Sequence, residues 1–330
     1  MKIQRICIVG AGSIGGWIGA KLSCCAGVQL SAFARGATLE ALQRDGLQLQ
    51  SKDTLIQSKV NASHDAALLG EQDLVILAVK APAVREVAAQ IAPLLGANTM
   101  LLSAMNGVPW WFFDGFGGAL EGTQLSSVDA DGQIAKHLPA QHIIGSVVHA
   151  SCAIQSPGVI RHNFGNGLII GEPTGQGTPR VQALLALLQE AGFDVSISPQ
   201  IQKDIWYKLW GNMTVNPISA ITGATTDKIL GDDLLRGFIS AVMLEAKAIG
   251  EKIGIPIAQQ PEDRHQVTLK LGAFKTSMLQ DVEAGRAVEL DVLVCAMREM
   301  GQLLKLPTPY TDALLGLARV HARQHGLYPS

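Results

Sequence analysis

A short apolar segment followed by a glycine-rich turn constrains the fold of this chain more than any other feature. Residues 3–9 read as a buried strand, and the sequence G10-A-G12-S-I-G15-G follows directly. In a dinucleotide-binding strand–turn–helix unit, the first glycine allows the tight turn, the second admits the pyrophosphate and the third lets helix and strand pack closely. The helix N-terminus offers unpaired N–H groups to phosphate. We therefore predict a Rossmann-type domain whose cofactor-binding turn comprises Gly10, Gly12, Ser13, Ile14 and Gly15.

The same stretch also has features of a signal peptide, because Lys2 and Arg5 precede an uncharged run over residues 6–20. Five glycines within that run suit a phosphate-binding turn better than the apolar region of a signal peptide. The five cysteines of the chain include no CxxC pair and are odd in number, which is typical of reduced thiols. We therefore expect a cytoplasmic protein that is not exported.

Composition excludes several functional classes. The 330 residues carry a formal net charge of -2 and no basic block, which argues against a nucleic-acid partner. No apolar stretch reaches the roughly 18 uncharged residues that a membrane span needs, so we expect no membrane association. His321 and His325 are spaced i, i+4 and could clasp a metal ion, but no third ligand accompanies them, so no metal site is predicted.

The residue at the end of the second predicted strand, over residues 28–34, indicates which cofactor the domain prefers. It ends at Arg35, where an NAD-specific fold places an acidic residue on the ribose 2′-hydroxyl. A guanidinium can bind a 2′-phosphate through two hydrogen bonds, so the sequence favours NADPH/NADP+ over the unphosphorylated cofactor. The alternative is a surface arginine at the end of a strand.

Two further residues follow predicted strands of this domain. Lys80 follows the strand at 74–79, and Asn106 follows the strand at 99–102. Because ligands bind at the carboxyl ends of the strands in such sheets, both side chains are expected to face the cofactor. The alternatives are a solvent-exposed lysine and an Asn-Gly turn.

The remaining pattern divides the chain near Ser198-Pro199. Before that point, strands alternate with helices, and a turn at Pro157-Gly158 joins strands that we predict at 143–154, 159–162 and 168–171. Beyond it, every predicted segment is helical, at residues 201–215, 234–253, 261–271, 288–304 and 308–324. We predict an α/β N-terminal Rossmann-type domain over residues 1–199 and an all-α C-terminal substrate domain over residues 200–330.

A polar stripe in the first of these helices indicates the chemistry. Lys208, Asn212 and Asn216 are spaced four residues apart, so a helix would place one ammonium group and two carboxamides on one face. Their neighbours are mostly apolar, and buried polar groups need partners. The partner could be an oxygen-rich substrate, although a solvated helix face is the alternative. Pro217 predicts that the helix kinks or stops at Asn216.

A second polar motif spans S277-M-L-Q-D-V-E-A-G-R-A-V-E289-L-D291. Glu289 and Asp291 open a predicted helix, where the helix dipole favours carboxylates, so a capping role is one interpretation. The other is that Glu289 faces Lys208 across the cleft between the domains. There it would keep the ammonium group charged and bind a substrate hydroxyl.

Together, GAGSIGG, Arg35, V79-K80, N106-G107 and the two polar blocks resemble ketopantoate reductase, or 2-dehydropantoate 2-reductase, over nearly the whole chain. The resemblance implies NADPH-dependent reduction of ketopantoate to pantoate, a step of pantothenate and coenzyme A biosynthesis. It implies that Lys208 is the general acid and that Glu289 orients it and binds the substrate hydroxyl. The implied contacts are Asn212, Asn216 and Ser277 for substrate, Arg35 and Lys80 for the 2′-phosphate, and Asn106 for the nicotinamide end.

Two features depart from the family pattern. Phe274 stands where many members carry an asparagine that contacts substrate, and an aromatic run at 110–113 with a long loop to Pro139 replaces a shorter connection. The aromatic residues are either ordinary core or an apolar lid for a bulkier 2-oxo acid. Two other functions therefore stay open: a paralogous reductase of another 2-oxo acid, and an NADPH-binding sensor without turnover. The apolar helical domain also leads us to expect a homodimer.

Overall fold

The computed structural model describes residues 2–115 and 117–329, so Phe116, in the loop predicted after Gly107, lies outside the described residues. The chain divides into two compact units. The first comprises Met1–Met105, Asp114–Phe116 and Gly132–Asp204, and the second comprises Asn106–Phe113, Gly117–Asp131 and Ile205–Ser330. The assignment of cofactor binding to residues 1–199 and of substrate binding to residues 200–330 stays a prediction.

The first unit is built on a sheet that contains ten strands within the described ranges. Its strand order is β4-β3-β9-β8-β7-β6-β1-β2-β5, and β10 pairs with β9. The strands are β1 (Arg5–Val9), β2 (Gln29–Phe33), β3 (Leu47–Gln50), β4 (Leu55–Ser58), β5 (Asn61–Ser63), β6 (Gln72–Leu77), β7 (Leu95–Ser103), β8 (Ile143–Ser156), β9 (Val159–Gly171) and β10 (Asp194–Ile197).

The parallel part of this sheet confirms the Rossmann-type prediction. Strands β7, β6, β1, β2 and β5 are neighbours in that order and all run parallel. Strand β1 lies in the middle, and Ile6, Ile8 and Val9 are fully buried. A strand buried on both faces reads as a continuous apolar run, which is why the sequence located it well.

The long hairpin of β8 and β9 extends the same sheet, because β8 pairs in parallel with β7 from Leu101↔Ile143 onward. Its turn lies at Pro157-Gly158 as predicted, with a positive φ of 76° at Gly158. The prediction of two short strands at 159–162 and 168–171 was wrong, since β9 is continuous. Its middle, H162-N-F-G-N-G, resembles a turn in sequence but pairs with β8 through register shifts near Ser151.

The helices complete both units. They are α1 (Ser13–Leu22), α2 (Gly36–Asp45), α3 (Ala81–Gln90), α4 (Ser126–Asp129), α5 (Gln133–His137), α6 (Pro179–Glu190), α7 (Ile201–Thr222), α8 (Thr226–Gly231), α9 (Asp233–Lys252), α10 (Pro261–Leu269), α11 (Ser277–Glu283), α12 (Ala296–Leu303) and α13 (Pro309–Gln324). A π-helical turn, Asp291–Cys295, precedes α12. The second unit is therefore helical, as predicted.

Large aromatic side chains form the core of the second unit. Trp206 and Trp210 of α7 are almost completely buried, and the indole N–H of Trp210 donates to the carbonyl oxygen of Met243 on α9 at 2.7 Å. Phe112 and Phe113 are 1% and 2% exposed, and the Phe112 ring centroid lies 6.1 Å from that of Trp206. The aromatic run at 110–113 is thus ordinary core rather than a lid.

Of the two outcomes predicted at Asn216, a kink or a stop, the stop was wrong, because helix α7 continues through Pro217 to Thr222. Proline removes one backbone hydrogen bond inside a helix. The residues on both sides of it are buried, including Val215, Ile218 and Ala220, and their packing offsets that loss. No helix in the described ranges is long and apolar enough to cross a bilayer.

Candidate active site

The glycine-rich turn between β1 and α1 has the geometry of a phosphate site. Gly10 has a φ of 92°, and a Cβ atom at Gly15 would overlap the Gly10 carbonyl oxygen and lie 2.9 Å from Ile8 Cγ2. The N–H of Gly16 donates to Gly12 O, so the preceding amides, including those of Ser13 and Ile14, have no acceptor within the helix. A Cβ atom at Gly12 would meet only Ile154 Cδ1, at 3.8 Å. The turn therefore fits a dinucleotide pyrophosphate.

Arg35 lies just beyond the end of β2, at the start of α2, and its guanidinium forms an ion pair with Glu86 of α3. The two side chains are 52% and 56% exposed. The hydrogen bond between them raises the pKa of Arg35 and lowers the pKa of Glu86. The structure thus places Arg35 at the end of the second strand, as predicted. It also pairs Arg35 with a carboxylate that the sequence analysis did not single out.

Lys80 and Asn106 belong to different compact units. Lys80 is exposed and occupies the N-cap position of α3 in the first unit. Asn106 opens the second unit, where the following backbone lies against the π-helical turn: the N–H of Val108 donates to Val292 O at 2.8 Å. Gly107 has a φ of 80°, and a Cβ atom there would lie 2.6 Å from Val292 Cγ2. The Asn-Gly segment is therefore fixed to residues that closely follow Glu289.

Helix α7 presents Lys208, Asn212 and Asn216 along one stripe. Lys208 and Asn212 are partly buried, and Asn216 is 6% exposed. Neither carboxamide has a hydrogen-bond partner among the described residues, so both remain available to a ligand. Ser277 is the first residue of α11, whose N-terminus is capped by Thr276 Oγ1, an acceptor for the Leu279 N–H at 3.2 Å.

The electrostatics of Lys208 are suited to proton transfer. Burial lowers its pKa from 10.5 to about 8, Glu289 acts in the opposite direction, and Arg264 lowers the pKa further. Glu289 is 6% exposed and directly precedes the helical residues that begin at Leu290. Lys208 and Glu289 both lie in the second unit, so their interaction is within that unit rather than across a cleft between domains. A lysine with this pKa can both hold and release a proton near neutral pH.

Sequence reasoning missed Arg264, which lies on α10 and acts on Lys208. It belongs to no motif, and 56 positions separate it from Lys208 along the chain. No local pattern could have found it, because only the packing of α10 on α7 brings the two cations together. Among the described residues, no group of three or more His, Cys, Asp or Glu side chains is placed to hold a metal ion.

Comparison with known proteins identifies the family to which the chain belongs. The model of the family described as "Ketopantoate reductase PanE/ApbA" matches residues 6–175, and that of its C-terminal domain matches residues 200–322. A 2-dehydropantoate 2-reductase from Mesorhizobium japonicum is 44% identical over 98% of this chain and 100% of its own length.

Solved structures share the fold. A protein from Ralstonia solanacearum MolK2, provisionally named a ketopantoate reductase, is 54% identical with a TM-score of 0.94, over 99% of this chain and 100% of the other. A dimeric ketopantoate reductase from Staphylococcus aureus is 20% identical with a TM-score of 0.75, over 97% and 99% of the two chains, and shows the fold alone. With both family models and a full-length relative in agreement, the chain belongs to the ketopantoate reductase family of oxidoreductases.

Proposed function

We propose that the protein reduces the 2-oxo group of 2-dehydropantoate to give pantoate, with NADPH as the reductant and Lys208 as the general acid. One observation carries this proposal: Lys208 lies beside the buried carboxylate of Glu289 and has a pKa of about 8. A general acid works best when its pKa is close to the working pH. The reaction would supply pantoate to pantothenate and coenzyme A biosynthesis in the cytoplasm.

The proton balance of the reaction assigns a task to each side chain. NADPH, when bound, would supply the hydride that adds to the carbonyl carbon. The π electrons of the carbonyl group then move to its oxygen, which takes a proton from Lys208 Nζ. Lys208 is left as a neutral amine and regains its proton from water. A positioned cation stabilises the charge that develops on the oxygen, and Glu289 keeps that cation protonated in a partly buried site.

The other polar residues of the second unit would hold the substrate. Asn212 and Asn216 continue the stripe of Lys208, and each carboxamide can both donate and accept hydrogen bonds. Ser277 supplies a hydroxyl at the start of α11. We assign these three side chains to the hydroxyl and carboxylate groups of the substrate, and Glu289 to the hydroxyl.

The cofactor assignment rests on the first unit and on Asn106. The amides of the turn at Gly10, Gly12, Ser13, Ile14 and Gly15 would bind the pyrophosphate. Arg35 and Lys80 would bind the 2′-phosphate, and Asn106 the nicotinamide end. The ion pair of Arg35 with Glu86 supports an anion-binding role, because a phosphate could replace the carboxylate.

Phe274 favours a second candidate, a reductase of another 2-oxo acid that uses the same Lys208 chemistry. Its side chain is partly buried and offers no hydrogen bond to a substrate hydroxyl. A sensor that binds NADPH without turnover has less support, since binding the cofactor requires neither Lys208 nor Glu289.

A panel of 2-oxo acids, assayed by loss of NADPH absorbance, tests the proposal. We expect ketopantoate to give the highest kcat/KM, with pantoate as the product. Turnover of other 2-oxo acids without turnover of ketopantoate would select the second candidate. No turnover of any 2-oxo acid, with intact NADPH binding, would select the sensor.

We also propose that the protein forms a homodimer. Leu317 and Val320, three residues apart on one face of α13, are 63% and 68% exposed, and Leu234 of α9 is 79% exposed. Sedimentation equilibrium of the purified protein tests this point, and a single species of monomer mass at micromolar concentration would contradict it.

A further inference from the structure

A second cation, Arg264 of α10, lies against the same part of α7 as Lys208. Its guanidinium carbon is 5.7 Å from the centroid of the Tyr207 ring, and a Cβ atom added to Gly211 would lie 2.8 Å from Arg264 Nη2. Tyr207 and Gly211 are spaced i, i+4 on α7 and flank Lys208. Gly211 therefore leaves the room that the guanidinium occupies, one helical turn from the proposed general acid.

The described residues provide no carboxylate partner for Arg264. Tyr207 is the group that acts to raise the pKa of Arg264, and Nη1 of Arg264 donates to Thr268 Oγ1 at 3.2 Å. Its Nε is buried and has no hydrogen-bond partner. Burial lowers the pKa of this guanidinium, since a buried cation without a counter-charge is costly.

The charges around Lys208 are consequently unbalanced. Arg264 and Lys208 repel each other, and Glu289 is the carboxylate that acts on Lys208. Lys208, Arg264 and Glu289 taken together, two cations and one carboxylate, carry a net positive charge in a partly buried place. Such a site favours an anionic ligand.

The backbone around Arg264 is held firmly, and the residue is not fully enclosed. Helix α10 begins with a capping box formed by Gln260 and Asp263, and the adjacent His265 forms a 2.8 Å hydrogen bond with Ser240 of α9. Arg264 itself is partly exposed. Part of the residue therefore faces solvent, while its Nε is enclosed beside Gly211.

We propose that Arg264 binds the carboxylate of the 2-oxo acid substrate, an inference that rests on the proposed reduction of such an acid. Thr268 occupies Nη1, and Nε and Nη2 form the opposite edge of the planar group, whose parallel N–H donors match the two oxygens of a carboxylate. The 2-oxo carbon is bonded directly to the carboxylate carbon, and Lys208 precedes Gly211 by three residues, about one turn, on α7. Arg264 is thus a substrate-binding residue that selects for an acid.

Arg264→Gln, compared with Arg236→Gln, tests the proposal. Arg236 is a nearby arginine on α9 whose partner is Glu262, outside the proposed site. For each protein, kcat/KM is measured with the best 2-oxo acid of the panel and with its neutral amide. Loss of a charge-assisted hydrogen-bond pair should lower kcat/KM for the acid roughly 10- to 10²-fold in Arg264→Gln. The amide should show little change, and Arg236→Gln should match the wild type with both compounds.

An equal loss with the acid and the amide, or no loss with either, would overturn the proposal. Should Arg264→Gln fail to fold, as judged by circular dichroism and NADPH binding, Arg264→Lys replaces it, since it keeps the charge but loses the paired donors. The same selective loss with the acid, at smaller magnitude, is then expected.

A separate measurement keeps this inference distinct from the proposed function. Should no 2-oxo acid be reduced at all, the proposed function fails, but titration calorimetry with the NADPH complex still compares ketopantoate with its amide. Tighter binding of the acid by the wild type, with the difference lost in Arg264→Gln, supports a carboxylate site. Equal binding of the acid and the amide by the wild type rejects it.

Discussion

The buried carboxylate of Glu289 raises the pKa of Lys208 against the larger effect of burial, which brings that pKa down to about 8. The two residues come from distant parts of the chain, one in the middle of α7 and one just before the π-helical turn. Their opposing effects leave a lysine that is mostly protonated at neutral pH and yet is a stronger acid than an ordinary lysine. This combination suits a group that must donate one proton in each turnover.

The first prediction concerns pH. In the proposed mechanism, only the protonated form of Lys208 is active in reduction, and that form is lost as the pH rises through about 8. Log kcat/KM for reduction should be level below that pH and fall by about one unit per pH unit above it. Initial rates measured between neutral and strongly alkaline pH, with the stability of the protein checked at each pH, test this. A profile that stays level up to the pKa of an ordinary lysine would contradict it.

The second prediction separates the two neighbours of Lys208 by the direction of their effects. Glu289→Gln removes a negative charge that favours the ammonium form, so the inflection of the pH profile should move to lower pH. Arg264→Gln removes a positive charge that disfavours the ammonium form, so the inflection should move to higher pH. Shifts in the same direction would show that the two residues do not act on Lys208 through their charges.

The third prediction concerns the cofactor. Arg35→Ala should weaken NADPH binding roughly 10- to 10²-fold and leave NADH binding nearly unchanged, because only NADPH carries the 2′-phosphate. Fluorescence titration with both cofactors measures this. Arg44→Ala is the matched control, since Arg44 is an exposed arginine of α2 that pairs with the adjacent Asp45. Equal losses for the two cofactors would defeat the assignment.

Glu86 gives a fourth prediction of opposite sign. Its carboxylate is paired with the guanidinium of Arg35, so a 2′-phosphate that bound Arg35 would have to compete with Glu86. Glu86→Gln should therefore tighten NADPH binding without changing NADH binding. In the double variant with Arg35→Ala, this gain should disappear, because the two residues act through one ion pair. A gain that persists without Arg35 would rule out this competition.

The fifth prediction concerns stability. Gly15→Ala places a Cβ atom against Gly10 O and Ile8 Cγ2, and should destabilise the protein by roughly 1–3 kcal/mol. Gly237→Ala is its control, because Gly237 lies on an exposed face of α9 with nothing near its Cβ position. That change should stabilise the protein by about 0.5–1 kcal/mol. Urea unfolding compares them, and similar effects would refute the close packing of α1 on β1.

The fold could be predicted where a sequence pattern reports burial or backbone conformation directly. The glycines at 10, 12 and 15 and the apolar run before them gave β1 and α1, and regular amphipathic spacing gave α9 and α13 nearly to the residue. The short elements β3, β4 and β5 were not predicted, because strands of three or four residues carry too little pattern. The predicted end of α7, at residue 215, was wrong because tertiary packing outweighed the local effect of Pro217.

The site was predictable only as far as local spacing reached. The stripe of Lys208, Asn212 and Asn216 is a helical period, and Glu289 belonged to a block that resembles the family. Arg264 and Glu86 had no such signal in the sequence. Arg264 is recognised only from its effect on Lys208 of α7, and Glu86 only from its ion pair with Arg35 at the end of β2. The long-range pairing of charges was the part that the sequence alone could not provide.

The proton donor is the central claim, and its most direct test is the kcat for ketopantoate reduction by Lys208→Ala, with Lys203→Ala as control. Lys203 is an exposed lysine of the same helix. We predict that kcat falls by roughly 10² or more in Lys208→Ala, as expected when a general acid is lost, while Lys203→Ala retains full activity. Wild-type kcat in a Lys208→Ala protein that binds NADPH normally would contradict the account.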